Sequence, residues 1–358
     1  MSIEKEKRLS IQKKTKQSIC NMRTIAEESF RVADVAKNSK KILDNLEKEF
    51  ELQTQLDKTD IKFLFFAIAL QCIRQYLLSN EKLRFKNDQS SSKFFKKYTP
   101  VSLEGPVPYD AFKKHNYSEN TGISGANHRY TTLGHDPMLG WIFGTVNILT
   151  NTVTKNNFLL ESYNTQLIGN EYKITSPTNI AVVFTNSVEA IQNDIKNLFM
   201  AVTKHALHLA SDAFTKMGLP IPIINSFSPD LSAVLLKNGI DLYSVNRSVL
   251  LSSIINTIIA IIHSFYFDKE KYSNKKLYEV KTRKILSYSN LIASSSNILY
   301  TTFSTCLGDS NALKKLDVGG IIVTVYRLIN DYQFIQEIKE EFVFGGFRQK
   351  IAGDIYNF

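Results

Sequence analysis

The sequence predicts a mainly α protein: a helical bundle with one long polar loop and a few short strands. Three observations predict it. Helix breakers are scarce in the 358 residues, with Gly 15 and Pro 8 against Phe 23 and Tyr 16. Apolar residues recur at threes and fours over long stretches, the period of a helix face. Hydrophobic residues are 43% and charged residues 22% of the chain, a composition that supports a sizeable core.

The elements follow in order. Residues 1–57 are charged and lack Pro and Gly, and Ile25, Val32, Val35, Ile42 and Leu46 share a helical spacing. This reads as an amphipathic N-terminal region of one or two helices, suited to contact with a second copy of the chain. A core domain, 58–358, follows. Thr59-Asp60 signals the start of a helix to about Leu78, read as buried and amphipathic. Ser, Asn, Gly, Pro and Lys dominate the loop 79–136, and a polar connection of that length is usually functional. Pro137 opens a new helix with Asp136 as its cap. Residues 155–186 read as short strands or irregular helix. One long helix is expected over 187–217, closed by Gly218 and Pro220. Further helices are expected at about 249–267, 276–304 and 312–340.

Val249 to Phe267 carries no formal charge over 19 residues, a length that suits a bilayer. It also holds Ser252, Ser253, Asn256, Thr257, His263 and Ser264, which make insertion costly. The reading is a buried helix, with an interfacial or spanning helix as the alternative. His263 reads as a satisfied core histidine and Trp141 as a core residue. Asn147 and Asn151 read as capping and packing groups.

The formal charge of +10 suits anionic partners, whether a phosphorylated or lipid-like small molecule or an acidic membrane surface. Nucleic acid is disfavoured, because the excess is spread along the chain and no nucleic-acid motif occurs. Cys20, Cys72 and Cys306 are far apart, so neither a disulfide framework nor a thiolate zinc site is indicated. The charged stretch after Met1 has no apolar core of a secretory signal. A cytoplasmic protein, associated with the inner face of the membrane, is the expectation. Gly319-Gly320 lacks the spacing of a nucleotide-binding loop, and no GxSxG occurs.

Four of the six histidines fall in two short regions. NHRYTTLGHDP carries His128, Arg129, His135 and Asp136; HALHLASD carries His205, His208 and Asp212. Positions i, i+3 and i+7 lie on one helical face, so His205, His208 and Asp212 share a stripe. His208 and Asp212, four apart, can reach one divalent ion at roughly 2.0 to 2.2 Å, with the loop supplying further ligands through His128, His135 and Asp136. The plain alternative is a solvated face with Asp212 paired to Lys216.

The two stretches resemble the family of small helical, membrane-bound metal-dependent hydrolases. That family carries a His-Arg dipeptide followed by Thr-His, and a helix reading His-Leu-x-x-Asp with Thr, Gly and Pro after it. Here His128-Arg129 is followed by Thr131, Thr132 and, three residues later, His135. His208-Leu209-Ala210-Ser211-Asp212 is followed by Thr215, Gly218 and Pro220. The likeness covers about a quarter of the chain. It implies a metal-assisted hydrolase with His128, His135, His208 and Asp212 near a Zn, Mn or Fe ion. Asp136 or His205 is then expected as general base or as a group orienting a ligand, and Arg129 as a clamp on an anionic oxygen. The competing expectation is a non-catalytic helical protein that binds a partner or a membrane surface through 1–57 and the 249–267 helix.

Overall fold

The computed structural model describes residues 3–77, 84–85, 88–111, 113–114, 128–215, 217–272 and 274–353. The fold is mainly α. The structure divides into two compact units, Met1–Ala67 with Asn256–Ser289 and Val325–Phe358, and Ile68–Ile255 with Asn290–Thr324.

In the first unit the N-terminal stretch forms two helices, α1 (Ile3–Lys37) and α2 (Ser39–Gln53). The unit also takes the start of α3 (Lys58–Leu77) and portions of α11 (Leu242–Ser264), α12 (Lys275–Cys306) and α13 (Val318–Ala352). Phe50, Leu277, Val280 and Ile338 form its apolar core. Arg31 donates to the carbonyls of Lys350 and Ile351, where the last turn of α13 has no helical donors left. The α3 start signal sits slightly upstream of the expected pair. Asp57 accepts from the N–H groups of Thr59 and Asp60, and its own N–H donates to Asp60. His263 is fully buried and satisfied: Nδ1 meets Thr282 Oγ1 at 2.8 Å and Nε2 meets Asp60 Oδ1 at 3.0 Å.

The second unit holds the polar stretch, within which α4 (Asp88–Lys96) forms, a small sheet, the short helices α9 (Ile224–Phe227) and α10 (Pro229–Lys237), and the helices around them. Strands β1 (Lys113–Lys114), β2 (Thr152–Thr154), β3 (Ser162–Ile168) and β4 (Glu171–Thr178) lie in the order β1-β4-β3-β2. β3 and β4 make an antiparallel hairpin around Gly169-Asn170, where Gly169 takes a φ of +67°. Thus the ambiguous 155–186 stretch holds a two-stranded hairpin and, from Ile180, the start of a helix. Val107, Tyr109, Ala111, Val153 and Ile174 pack as one core against the sheet.

Two helix expectations shift. The helix after Asp136 begins later, as α6 (Gly140–Thr150), because Met138 and Leu139 form the turn that Asp136 caps. The single helix expected at 187–217 is two, α7 (Ile180–Asn193) and α8 (Ile195–Ala213). Asp194 is extended and accepts from the N–H of Lys196, so a side chain replaces the helical bond there and restarts the helix. Asn147 donates to Thr152 and Thr154, and Asn151 ends α6 in the left-handed region, a packing and a capping role.

The long helices reverse the expected burial. In α3, Phe65, Phe66 and Ile73 are exposed while Gln71, Arg74 and Gln75 are buried. In α11, Leu250, Ile254, Ile258 and Ile261 are exposed while Ser252, Asn256 and His263 are buried. Neither is the apolar-inward helix the sequence suggested. Within the second unit a polar network explains the inversion. Arg74 donates to Asp317 Oδ2 at 2.5 Å, to Ser248 Oγ at 2.6 Å and to Gln71 Oε1 at 2.9 Å. Arg74 and Asp317 are buried charges, so each needs the other.

Removing one partner should therefore cost more than removing both. Arg74→Ala is expected to destabilise by about 3–5 kcal/mol by leaving Asp317 buried without its partner. An Arg74→Met/Asp317→Leu double variant should recover most of that loss in denaturant titrations. Equal losses in single and double variants would contradict the ion-pair account.

Candidate metal centre

The centre is assembled by α8, by a tight turn before α6 and by a second turn in the polar loop, all within the second unit. Asp194 starts α8 and Phe214 follows its end, which fixes the rotation of the stripe carrying His205, His208 and Asp212. The stripe then divides. His208 and Asp212 meet, Nε2 to Oδ2 at 3.4 Å. His205, one turn earlier, places Nδ1 2.8 Å from the Tyr109 hydroxyl.

The NHRYTTLGHDP stretch forms α5 (His128–Thr131) and a 3-10 turn, Leu133–His135. Thr132 sets the orientation of His135. Its hydroxyl donates to the His128 carbonyl at 2.7 Å and lies 2.7 Å from His135 Nδ1. With its proton committed, Thr132 accepts from Nδ1–H, and the lone pair of His135 is on Nε2. That nitrogen lies 3.2 Å from His208 Nε2 and 3.5 Å from Asp212 Oδ2.

Asp110, which the sequence reading did not single out, completes the arrangement. It ends a 3-10 turn, Pro108–Asp110, which the buried Val107 and Tyr109 anchor in the core. Asp110 Oδ1 lies 3.0 Å from both His128 Nε2 and His135 Nε2, and 3.5 Å from His208 Nε2. Neither Asp110 Oδ1 nor Asp212 Oδ2 receives a hydrogen bond of ordinary geometry, although both are buried. No signal in the sequence marked Asp110: a lone aspartate in a proline turn has no spacing to a partner.

Spatially, then, His128, His135, His208 and Asp212 come together with Asp110. The three other expected residues take different places. Asp136 does not join: Oδ1 accepts from the N–H groups of Met138 and Leu139, and Oδ2 from that of Ile223. Both oxygens accept from backbone, so Asp136 caps the turn before α6 instead of facing the cluster. Arg129 is buried against the protein rather than turned toward a ligand. It donates to Asp212 Oδ1 at 3.0 Å, to Thr215 Oγ1 at 2.6 Å and to the Gly218 carbonyl at 3.3 Å. These bonds position Asp212 and the turn after α8. His205 is tied to Tyr109, beside the cluster. Asp212 pairs with Arg129 and the histidines; Lys216 lies outside the described residues, as does His115.

The electrostatics follow from burial and proximity. Burial opposes charge on Asp110, but His208, His128 and His135 around it hold its carboxyl well below the ordinary range. Burial likewise opposes charge on Asp212, yet His208, His135 and Arg129 lower it to about 2. Burial disfavours the His208 cation, but Asp110 and Asp212 raise its pKa to about 9. His205 goes the other way. Burial and then the neighbouring His208 and His135 lower it to about 3. Burial, Asp110 and Asp212 push the Tyr109 phenol well above its usual value, so it stays protonated.

Three glycines make room for this packing. A Cβ on Gly134 would fall 2.4 Å from the Tyr109 ring, and one on Gly144 would fall 2.4 Å from His205 Cε1. One on Gly140 would lie 2.8 Å from the Gly134 carbonyl oxygen. The Gly-x-x-x-Gly face of α6 is thus the slot for His205. Trp141, expected in the core, is half exposed and sets its ring edge-on to His205 at 5.3 Å.

Gly144→Ala is expected to displace His205 and destabilise by about 1–3 kcal/mol, as overpacking does, measured by thermal or urea unfolding. His205 also gives a pH signature. Its folded pKa lies below the unfolded value, so the unfolded chain takes the proton first. Stability from the neutral ring is complete above pH 6.5 and is lost as pH falls toward 3. Between pH 7 and 4.5 the wild type should lose more stability than His205→Gln; equal losses would contradict this.

No protein-family model, curated protein or solved structure matches the chain.

Proposed function

We propose that the chain is a metal-dependent hydrolase acting on a phosphorylated or lipid-like anionic substrate. The observation that carries this reading is the spacing of the donor atoms of His128, His135, His208, Asp110 and Asp212. Neighbouring pairs lie 3.0 to 3.5 Å apart. Donors at roughly 2.0–2.2 Å from one ion are separated by about 3.0 Å in octahedral and about 3.4 Å in tetrahedral geometry. Asp110, His135 and His208 alone form a group able to hold an ion. Imidazole and carboxylate together suit Zn, Mn or Fe.

The ion would supply Lewis acidity and a water of lowered pKa. The chain's own residues do the rest. His135 offers a neutral nitrogen, its tautomer held by Thr132, and His208 would lose, on binding an ion, the proton that Asp110 and Asp212 hold on it. Arg129 fixes the Asp212 carboxylate, an outer contact of the kind that orients ligands. Asp110, His208 and His128 keep 24, 18 and 14% side-chain exposure, whereas His135 keeps none. The open side of the cluster is therefore where a substrate would reach it. The positive net charge favours an anion there.

Elemental analysis of purified protein tests the metal. A divalent ion near one equivalent is expected, lost in His208→Ala and in Asp110→Asn. Thr132→Val should weaken binding roughly 10–100-fold. Phosphodiester hydrolysis that follows metal content supports the reaction class. Ion-free wild type with no activity on metal addition would overturn the reading and leave the non-catalytic alternative.

The chain is further read as attached to a membrane. α11 is long and apolar enough to cross one, and its exposed Leu250, Ile254, Ile258 and Ile261 follow at four, four and three. Apolar side chains outward and polar ones inward suit a lipid surround better than water. Retention in the membrane pellet after carbonate washing is the expected result. Recovery of monodisperse protein from detergent-free buffer would contradict it.

A further inference from the structure

Three helices beside the metal centre turn an apolar face outward. Within the second unit α6, α7 and α8 pack on one another, with Phe143 and Phe184 ring to ring at 5.9 Å. Trp141 and Ile142 are exposed on α6, Phe184 and Val188 on α7, and Ile195 and Phe199 on α8. α6 carries no charged residue and α7 carries only Glu189. Of the 14 residues of α7 only Val183 and Ser187 are buried. A helix that exposed to water ordinarily bears charge on its outer face, and this one does not. Single exposed apolar residues are ordinary, but a face built by three packed helices marks an interaction surface.

The face borders the centre. Trp141 stands edge-on to His205 at 5.3 Å, and His205 lies one turn from His208 on α8. Length and surroundings point to what covers it. α6 with 11 residues and α7 with 14 are about 16 and about 21 Å long, too short to cross a hydrocarbon core of about 30 Å. They are long enough to lie along its boundary, and a tryptophan suits that layer. The same unit turns further apolar residues outward: Leu250 and Ile254 on α11, and Leu291, Leu299 and Phe303 on α12, whose residues 290–306 carry no charge. A second copy of the chain would cover one such face, whereas a lipid surround covers all of them.

We propose that the face of α6, α7 and α8 rests in the boundary layer of a lipid bilayer and holds the His128–Asp212 centre at the level of the headgroups. A headgroup layer is roughly 5–8 Å deep, which matches the step from Trp141 to His205. The anion presented to the centre is then a phospholipid headgroup, not a soluble phosphoester. The docking needs no metal; the choice of substrate rests on the hydrolase reading.

Trp141 is the sole tryptophan of the chain, so intrinsic fluorescence reports this face alone. The test reconstitutes the full chain into phosphatidylcholine vesicles, with and without lipid brominated near the top of the acyl chain. Brominated lipid is expected to quench most of the Trp141 emission. Ile142→Asp/Phe199→Asp should lose most of that quenching and lower turnover of vesicle-held phospholipid roughly tenfold, with turnover of bis(p-nitrophenyl) phosphate in detergent at the wild-type rate. Both residues are exposed, so the thermal midpoint should hold, which separates lost docking from lost folding. His208→Ala should be quenched as the wild type is, so failure of the hydrolase reading leaves the docking test intact. No quenching by brominated lipid, or quenching unchanged in the double variant, would overturn the docking. Emission that follows protein concentration and not bromination would assign the face to a second copy and overturn it too. Equal losses on the two substrates would overturn the phospholipid as substrate.

Discussion

Asp110, His135 and His208 bring their donor atoms within 4.8 Å of one another, with His128 against Asp110 and Asp212 against both His135 and His208, and the turns and helices of the second unit hold them there. Such a group is unfavourable alone: each carboxylate loses water, and like charges crowd. Arg129 offsets this by bonding Asp212 while anchoring the turn at Thr215 and Gly218. The same guanidinium thus joins the two sequence stretches that supply the histidines.

The packing behind the cluster is as demanding as its charges. Tyr109 stands between Gly134 and His205, with its neighbour Asp110 at the cluster. Gly140 and Gly144 let His205 sit against α6. A side chain at any of these glycines would push on Tyr109 or His205, or on the turn that carries His135. The geometry of the donors is therefore set from behind by small residues, not only by the donors themselves.

Away from the cluster, polar residues again govern the packing. Arg74 and Asp317 bind one another in the second unit, and Asp60, His263 and Lys281 form a comparable group in the first. With polar groups turned inward, the apolar residues of the same helices face outward. The sequence reading placed those helices in a core because periodicity reports that a helix has two faces, not which solvent each face meets. The expected 187–217 helix failed for a more local reason, the competition of the Asp194 side chain for a backbone N–H.

The sequence by itself determined the helical class and the fact that His208 and Asp212 share a face, since these depend on composition and on a period of 3.6. It also marked both histidine stretches. Only the tertiary structure decided that His135 and His208 approach to 3.2 Å, that Asp110 joins them, and that Asp136 and Arg129 serve the scaffold. The physical reason is that a side chain's role depends on which remote atoms compete for its polar groups. Asp136 and Asp110 are both loop aspartates beside proline turns; one meets backbone N–H groups and the other meets imidazoles.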